Sequence, residues 1–184
     1  MPDINRPIAE SYWVIPGRLL VGEYPGLSSE ELTRKRIDAF IENGFQTFMD
    51  LTQPNELAPY AGILTEQAQA YEVEVSYQRF PIGDFGLPMP EQMNVILDTI
   101  DERLQAGQKI YLHCWGGIGR TGTTVGCYLV RQGVSGAAAL TQLAAWWKTV
   151  PKSRYHLHSP ETVEQMIFVR SWAAHDHKLQ KGNR

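Results

Sequence analysis

Along the chain the spacing of apolar residues switches between a period of two and one near 3.6, and the switches mark out alternating strands and helices. Tyr12 to Ile15 and Leu19 to Val21, parted by Pro16-Gly17, predict a small opening hairpin. Ser28 and Glu31 have capping-box spacing, and Leu32, Ile37, Phe40 and Ile41 then share one face of a helix that Gly44 stops. A strand is predicted over Gln46–Leu51 and a helix over Tyr60–Tyr71. Val73, Val75 and Tyr77 then alternate as in a half-buried strand. Pro81, Gly83, Gly86, Pro88 and Pro90 make residues 81–90 a loop, after which Met93, Ile96, Leu97, Ile100 and Leu104 mark a helix ending at Gly107. Lys109 to His113 reads as a short buried strand, and Arg120 to Gln132 as a helix with Val125, Tyr128 and Leu129 on one face. Leu140, Leu143, Ala144 and Trp147 define a later helix. Ser159-Pro160-Glu161 offers the last helix an N-cap serine and a proline at its first position.

Strands alternating with helices predict an α/β fold, a mainly parallel central sheet flanked by helices, with a helix-rich C-terminal third. At 184 residues the chain suits a single domain over 1–184, with a short N-terminal extension at about 1–10 and a polar C-terminal tail at about 175–184. In such sheets ligands sit at the carboxyl ends of strands. The loop that follows the strand at 109–113 is therefore where chemistry is expected.

That loop is His113-Cys114-Trp115-Gly116-Gly117-Ile118-Gly119-Arg120-Thr121-Gly122. Three glycines among the five residues between Cys114 and Arg120 let successive backbone N–H groups turn toward one anion. Arg120 can close the ring with two parallel hydrogen bonds to phosphate oxygens. The loop also opens a helix, whose free N–H groups and positive dipole end favour an anion and favour the thiolate of Cys114. A thiolate attacking a phosphate monoester needs a proton donor for the departing oxygen, and Asp84, in the loop at 81–90, is the best candidate. Asp50 and Glu56 are the next acids in line.

His-Cys-x5-Arg-Thr resembles the signature loop of the cysteine-dependent protein tyrosine phosphatase superfamily, and the chain's length and Ile82-Gly83-Asp84 resemble its dual-specificity branch. The resemblance implies a phosphatase-like fold and a phosphocysteine formed on Cys114. Asp84 would protonate the leaving group and the same carboxylate would then activate water. The phosphate would lie on the backbone of Trp115, Gly116, Gly117, Ile118 and Gly119 and on Arg120. The side chains of Trp115 and Ile118 would point away from it. His113 would order the hydrogen bonds around the thiolate, and the Thr121 hydroxyl would stabilise the departing sulfur. Thr162-x-x-Gln165 resembles the glutamine loop that positions water, with Glu161 where tyrosine phosphatases carry a leading glutamine. No cofactor and no metal is implied, and the expected substrate is a phosphorylated protein or peptide. Alternatives are a phosphate-binding module without turnover, or a phosphatase of a non-protein phosphate such as a phosphoinositide. Neutral Trp115 and Ile118 stand where phosphoinositide phosphatases often carry lysine.

Two nucleotide-binding readings fail on context. Gly117-x-Gly119-x-x-Gly122 fits a dinucleotide fingerprint, but no acid lies between residues 102 and 161 to hold a ribose, and a Walker loop lacks its lysine. His156-Leu157-His158 and His175-Asp176-His177 lack a third converging ligand, and Trp146 and Trp147 read as core. Cys127 lies seven residues beyond Arg120, about 10 Å along a helix, too far to pair with Cys114. Two cysteines and no long apolar run lead to the expectation of a soluble cytoplasmic protein with no membrane partner. The net charge of −3 argues against nucleic acid. It conceals an asymmetry, for residues 109–160 hold 6 basic groups and no acid, which predicts a positive field around the loop.

Overall fold

In the computed structural model, which describes residues 6–181, five strands join one sheet. They are β1 (Ser11–Ile15), β2 (Leu19–Gly22), β3 (Thr47–Asp50), β4 (Ser76–Arg79) and β5 (Ile110–His113), in the order β1-β2-β5-β3-β4. Only β1 and β2 pair antiparallel; β2, β5, β3 and β4 run parallel. β2, β3 and β5 are buried along their whole length, as parallel strands covered on both faces must be. Alternation divides their side chains between two cores. Leu20, Phe48 and Tyr111 pack on one face with α1 (Glu30–Glu42) and α2 (Ala61–Ala70). Leu19, Val21, Met49, Ile110 and Leu112 face the other layer, made of α3 (Pro90–Gln105), α4 (Gly119–Arg131), α5 (Gly136–Trp147) and α6 (Val163–Ser171). A short α7 (His177–Lys181) follows.

Helix α4 runs through the middle of the second layer, and almost every residue of it is buried. Its approach to α6 depends on Gly126, where a Cβ would lie 2.6 Å from the Val169 side chain. Among the described residues no helix is long and apolar enough to cross a membrane.

The sequence-based elements stand with four corrections. Ser29, not Ser28, caps α1, accepting from the Leu32 N–H, so Glu31 falls in the first turn rather than at a capping-box position. β4 begins at Ser76, because residues 71–73 are used in the turn that ends α2 and Val73 is exposed. Ser159 and Pro160 do not open the last helix. Ser159 Oγ is spent on the Ile118 carbonyl, and α6 starts at Val163 under a capping box of Thr162 and Gln165. The expected C-terminal tail is packed at least to α7, with Asp176 fully buried. Of the expected N-terminal extension, Ile8 is buried. Residues 1–5 and 182–184 lie outside the described residues.

Asp176 is buried because it meets Arg131 at the far end of α4. The guanidinium donates to Asp176 (2.6 Å), Asp98 (2.7 Å) and Asn94 (2.9 Å), while the Trp172 indole also donates to Asp176 (3.0 Å). Burial alone would raise the Asp176 carboxyl, but Arg131 and its other donors outweigh it and hold the group below its ordinary value. A depressed carboxyl contributes stability above its unfolded value of about 3.9, lost as pH falls through the lower folded value. Arg131→Met, which strands a buried carboxylate, should lower unfolding stability by about 3–5 kcal/mol at pH 7 in chemical denaturation. The loss should already shrink as pH falls toward about 4, because the stranded acid, raised by burial with no guanidinium beside it, protonates above its ordinary value of about 3.9. Lys35→Met, which breaks an exposed pair with Glu31, should leave the midpoint unchanged.

Candidate active site

The signature loop leaves β5 at His113 and enters α4 at Gly119, and its carbonyls are tied outward. The carbonyl of Cys114 accepts from the His113 ring, that of Trp115 from the Tyr24 N–H (2.8 Å), and that of Gly116 from Lys152 Nζ (3.5 Å). The Ile118 carbonyl accepts from Ser159 Oγ (2.8 Å) and the Gly122 N–H (3.0 Å). A peptide unit points its N–H opposite to its C=O, so these ties turn the loop amides toward the concavity. Ile118, the N-cap of α4, offers no side-chain cap, so the first N–H groups of the helix are open to a ligand. Gly117 has φ +74°, and a Cβ there would come within 2.4 Å of the Gly22 carbonyl carbon. Only glycine lets the loop lie this close to the end of β2.

Cys114 is buried at the floor of a pocket whose wall includes Gly116, Ile118, Gly119 and Arg120. Trp115 points outward and is 54% exposed, whereas Ile118 is buried in the core. Thr121 Oγ1 is buried with no hydrogen-bond partner among the described residues. His113 is fully buried. Its Nδ1 can only donate to the Cys114 carbonyl (3.2 Å), so Nε2 accepts from the Tyr60 hydroxyl (2.7 Å), which fixes the tautomer. Burial lowers the His113 pKa against the pull of Asp50, leaving the ring neutral at pH 7.

Asp50 is not a free acid. Wholly buried, it accepts from Thr52 N–H and Oγ1, the Tyr77 hydroxyl and Arg79. Burial raises its carboxyl, but His113 and these donors pull it below the ordinary value. Glu56 is not a free acid either. It takes Arg120 in a bidentate pair, 2.8 Å to one terminal nitrogen and 2.6 Å to the other. That hydrogen bonding drives the Glu56 carboxyl down. Burial would lower the Arg120 pKa, but Glu56 and the nearby Cys114 raise it. Nothing local in the sequence marks Glu56 as the partner of Arg120, 64 positions further on.

Asp84, the candidate acid, lies beside Arg120, with its carboxylate 3.0 Å from the guanidinium and 47% exposed. It rides on a tight turn closed by the Gly86 N–H on the Gly83 carbonyl (2.8 Å). Phe85, next to it, has φ +54°, a left-handed conformation that costs a non-glycine residue about 1 kcal/mol or more. Gln165 is buried beneath. Its Oε1 accepts the Glu161 and Thr162 N–H groups, and its Nε2 donates to the Gly86 carbonyl. Glu161, rather than Gln165, lines the pocket.

The predicted positive field is largely compensated. Arg120 meets Glu56 and Asp84, Arg131 meets three aspartates, and Lys152 meets Glu23 at 2.6 Å. Among the described residues no three His, Cys, Asp or Glu side chains converge as a metal site.

A family profile described as "Tc-R-P: Polymorphic toxin system, DSP-PTPase phosphatase" matches residues 26–134. The mouse "Protein tyrosine phosphatase domain-containing protein 1" is 32% identical over 114 residues, 56% of this chain and 15% of its own length, so the chain spans a small part of that relative. The solved structure of Tk-PTP in its active form is 26% identical, covers 90% of this chain and 97% of its own, and has a TM-score of 0.63. PTPMT1 in complex with PI(5)P, 16% identical over 94% of this chain and 99% of its own, shares the fold with a TM-score of 0.63. Because the profile spans more than half of the chain and takes in the whole signature loop, the protein belongs to the DSP-PTPase phosphatase family of polymorphic toxin systems, within the cysteine-dependent protein tyrosine phosphatase superfamily.

Proposed function

We propose that the chain hydrolyses phosphate monoesters of proteins or peptides through a phosphocysteine on Cys114. The observation that carries this reading is the loop itself: a buried cysteine and an arginine joined by peptides whose carbonyls are held outward, beneath an uncapped helix. Such a nest binds a tetrahedral dianion and aligns its phosphorus with the sulfur. Arg120 is already fixed by Glu56 and by the Ile82 carbonyl (3.0 Å). Its Nε–H has no partner among the described residues, and one further donor is held only by exposed Asp84. An entering phosphate takes that Nε–H and displaces Asp84, which is thereby released beside the leaving oxygen. The thiolate attacks phosphorus, and Asp84 protonates the departing alcohol or phenol. The Thr121 hydroxyl, buried and unpartnered, is free to donate to the sulfur. His113 acts from behind the thiolate by fixing the Cys114 carbonyl.

A protein substrate is favoured over a phosphoinositide because the basic side chains near the pocket are already ion-paired and the loop carries neutral Trp115 and Ile118. Comparing kcat/KM for phosphotyrosine, phosphoserine and phosphothreonine peptides with that for phosphoinositides tests the assignment. A reducing compartment, the cytoplasm, suits a mechanism that needs a free Cys114 thiol.

Cys114→Ser should abolish turnover while vanadate or phosphopeptide binding survives on the loop amides and Arg120; near-normal hydrolysis would rule out the phosphocysteine. Arg120→Lys, which loses the fork to both Glu56 and phosphate, should cost at least ~10-fold in kcat/KM, through kcat and KM together. In Asp84→Asn, kcat on a phosphoserine or phosphothreonine peptide should fall by ~10² or more, and the basic limb of its pH profile should flatten. An activated aryl phosphate, whose leaving group departs as a stable anion, should lose less. An unchanged basic limb would move the general acid elsewhere.

A further inference from the structure

Three carboxylates surround Arg120, and two of them are engaged. Both oxygens of Glu56 are taken by the guanidinium, and Asp84 is held by Arg120 and by the Phe85 N–H (3.2 Å). Glu161 is different. Its carboxyl lines the same pocket as Cys114, with Oε2 only 3.3 Å from where a Gly119 Cβ would stand. Among the described residues it accepts no hydrogen bond, and its one ion-pair contact is exposed His156 at 3.8 Å. A partly exposed carboxylate on the wall of the Cys114 pocket, held by no protein donor among the described residues, is open to water, the co-reactant of the second half-reaction.

The backbone under Glu161 is held rigidly. Gln165 Oε1 takes its N–H, Thr162 and Gln165 cap α6, and Gln165 Nε2 ties the segment to the acid loop at Gly86. This leaves Gln165 little freedom to orient water, for its amide already makes three hydrogen bonds and it is wholly buried. The charged groups facing Glu161 are His156, Asp84 and Arg120, and burial pushes its carboxyl up, the direction that makes a carboxylate a better proton acceptor.

We propose that Glu161 is the base that activates water for hydrolysis of the phosphocysteine, so that the two half-reactions use different carboxylates. The assignment rests on the phosphocysteine reading above and replaces the expectation that Asp84 serves both steps. The water oxygen attacks phosphorus as the P–S bond breaks, and the bonding pair returns to Cys114 Sγ. One water proton passes to Glu161 and then to solvent, and inorganic phosphate leaves.

Oxygen exchange isolates this half-reaction. With inorganic phosphate labelled with oxygen-18 as the only substrate, the full chain forms phosphocysteine by expelling water, protonated by the same group that deprotonates it in hydrolysis, and then reverses, washing out label with water as the only leaving group. Glu161→Gln should slow the exchange by ~10², the usual worth of a general base, and by more than Asp84→Asn slows it. Competitive inhibition by phosphate and a thermal melt check that the variant still folds and binds, and Glu161→Ala carries the same expectation should Glu161→Gln fail that check. Wild-type exchange in either folded Glu161 variant, or a loss in Asp84→Asn as large as theirs, overturns the assignment. Exchange that survives in Cys114→Ser removes the phosphocysteine itself, a different failure from that of Glu161.

Discussion

A loop that turns its N–H groups on an anion must turn its carbonyls into the protein, and each buried carbonyl then needs a donor. Much of this fold meets that one requirement. Tyr24, just beyond β2, supplies a backbone N–H; Lys152, on a short 3-10 turn after α5, supplies an ammonium; Ser159, ahead of α6, supplies a hydroxyl; and His113 supplies its ring. Segments far apart in sequence therefore converge around residues 114–118, and Gly117 exists to let β2 come close enough. Two of these donors, Lys152 and Ser159, come from segments after α4 and hold the loop from outside.

Charge is handled in the same way at both ends of α4. Arg120 and Arg131, whose side chains are each 2% exposed, lie about 16 Å apart along the axis at ~1.5 Å per residue, and each is met by carboxylates from other elements. A buried guanidinium is tolerable only with partners in good geometry. Arg131 has a complete set and is structural. Arg120 has one lasting pair, with Glu56, and one partner, Asp84, that is nearly half exposed. In the proposed mechanism that difference separates a strut from a binding group.

Sequence alone reveals the signature loop, the alternation of strands and helices, and the loop that carries Asp84, because each is a local pattern: glycines in a loop, apolar periods, a proline-broken segment before a helix. It fails where two local solutions compete and tertiary contacts decide. Ser28 and Ser29 both offer a cap, and only Ser29 has its Oγ in reach of the Leu32 N–H. Ser159-Pro160 has a good helix start, but the Ile118 carbonyl takes the Ser159 hydroxyl, leaving the capping to Thr162, whose spacing from Gln165 fits a capping box as well as a glutamine loop. Val73 and Val75 alternate like a strand, yet the pairing along β3 begins only at Ser76. Glu56 and Tyr60 give no signal at all, since their partners Arg120 and His113 are more than 50 residues away. The 6 basic groups of residues 109–160 look like a positive field only until the acids that neutralise them are brought in from elsewhere in the chain.

The acid loop shows how a rigid site can still respond to substrate. Its main chain is pinned on one side by Arg120 on the Ile82 carbonyl and on the other by Gln165 on the Gly86 carbonyl. Between these points lie only Gly83, Asp84 and Phe85, with Phe85 strained at positive φ and both Asp84 and Phe85 exposed. Under the proposed displacement of Asp84 by phosphate, the change would fall on those three residues and not on the loop as a whole. In the proposed mechanism the arginine that binds the phosphate also anchors the loop that carries the acid, which would couple substrate binding and proton delivery through one guanidinium. Because Gln165 anchors the other side while fixing the Glu161 backbone, the two carboxylates share a frame. Their relative placement does not depend on the swing of the tip.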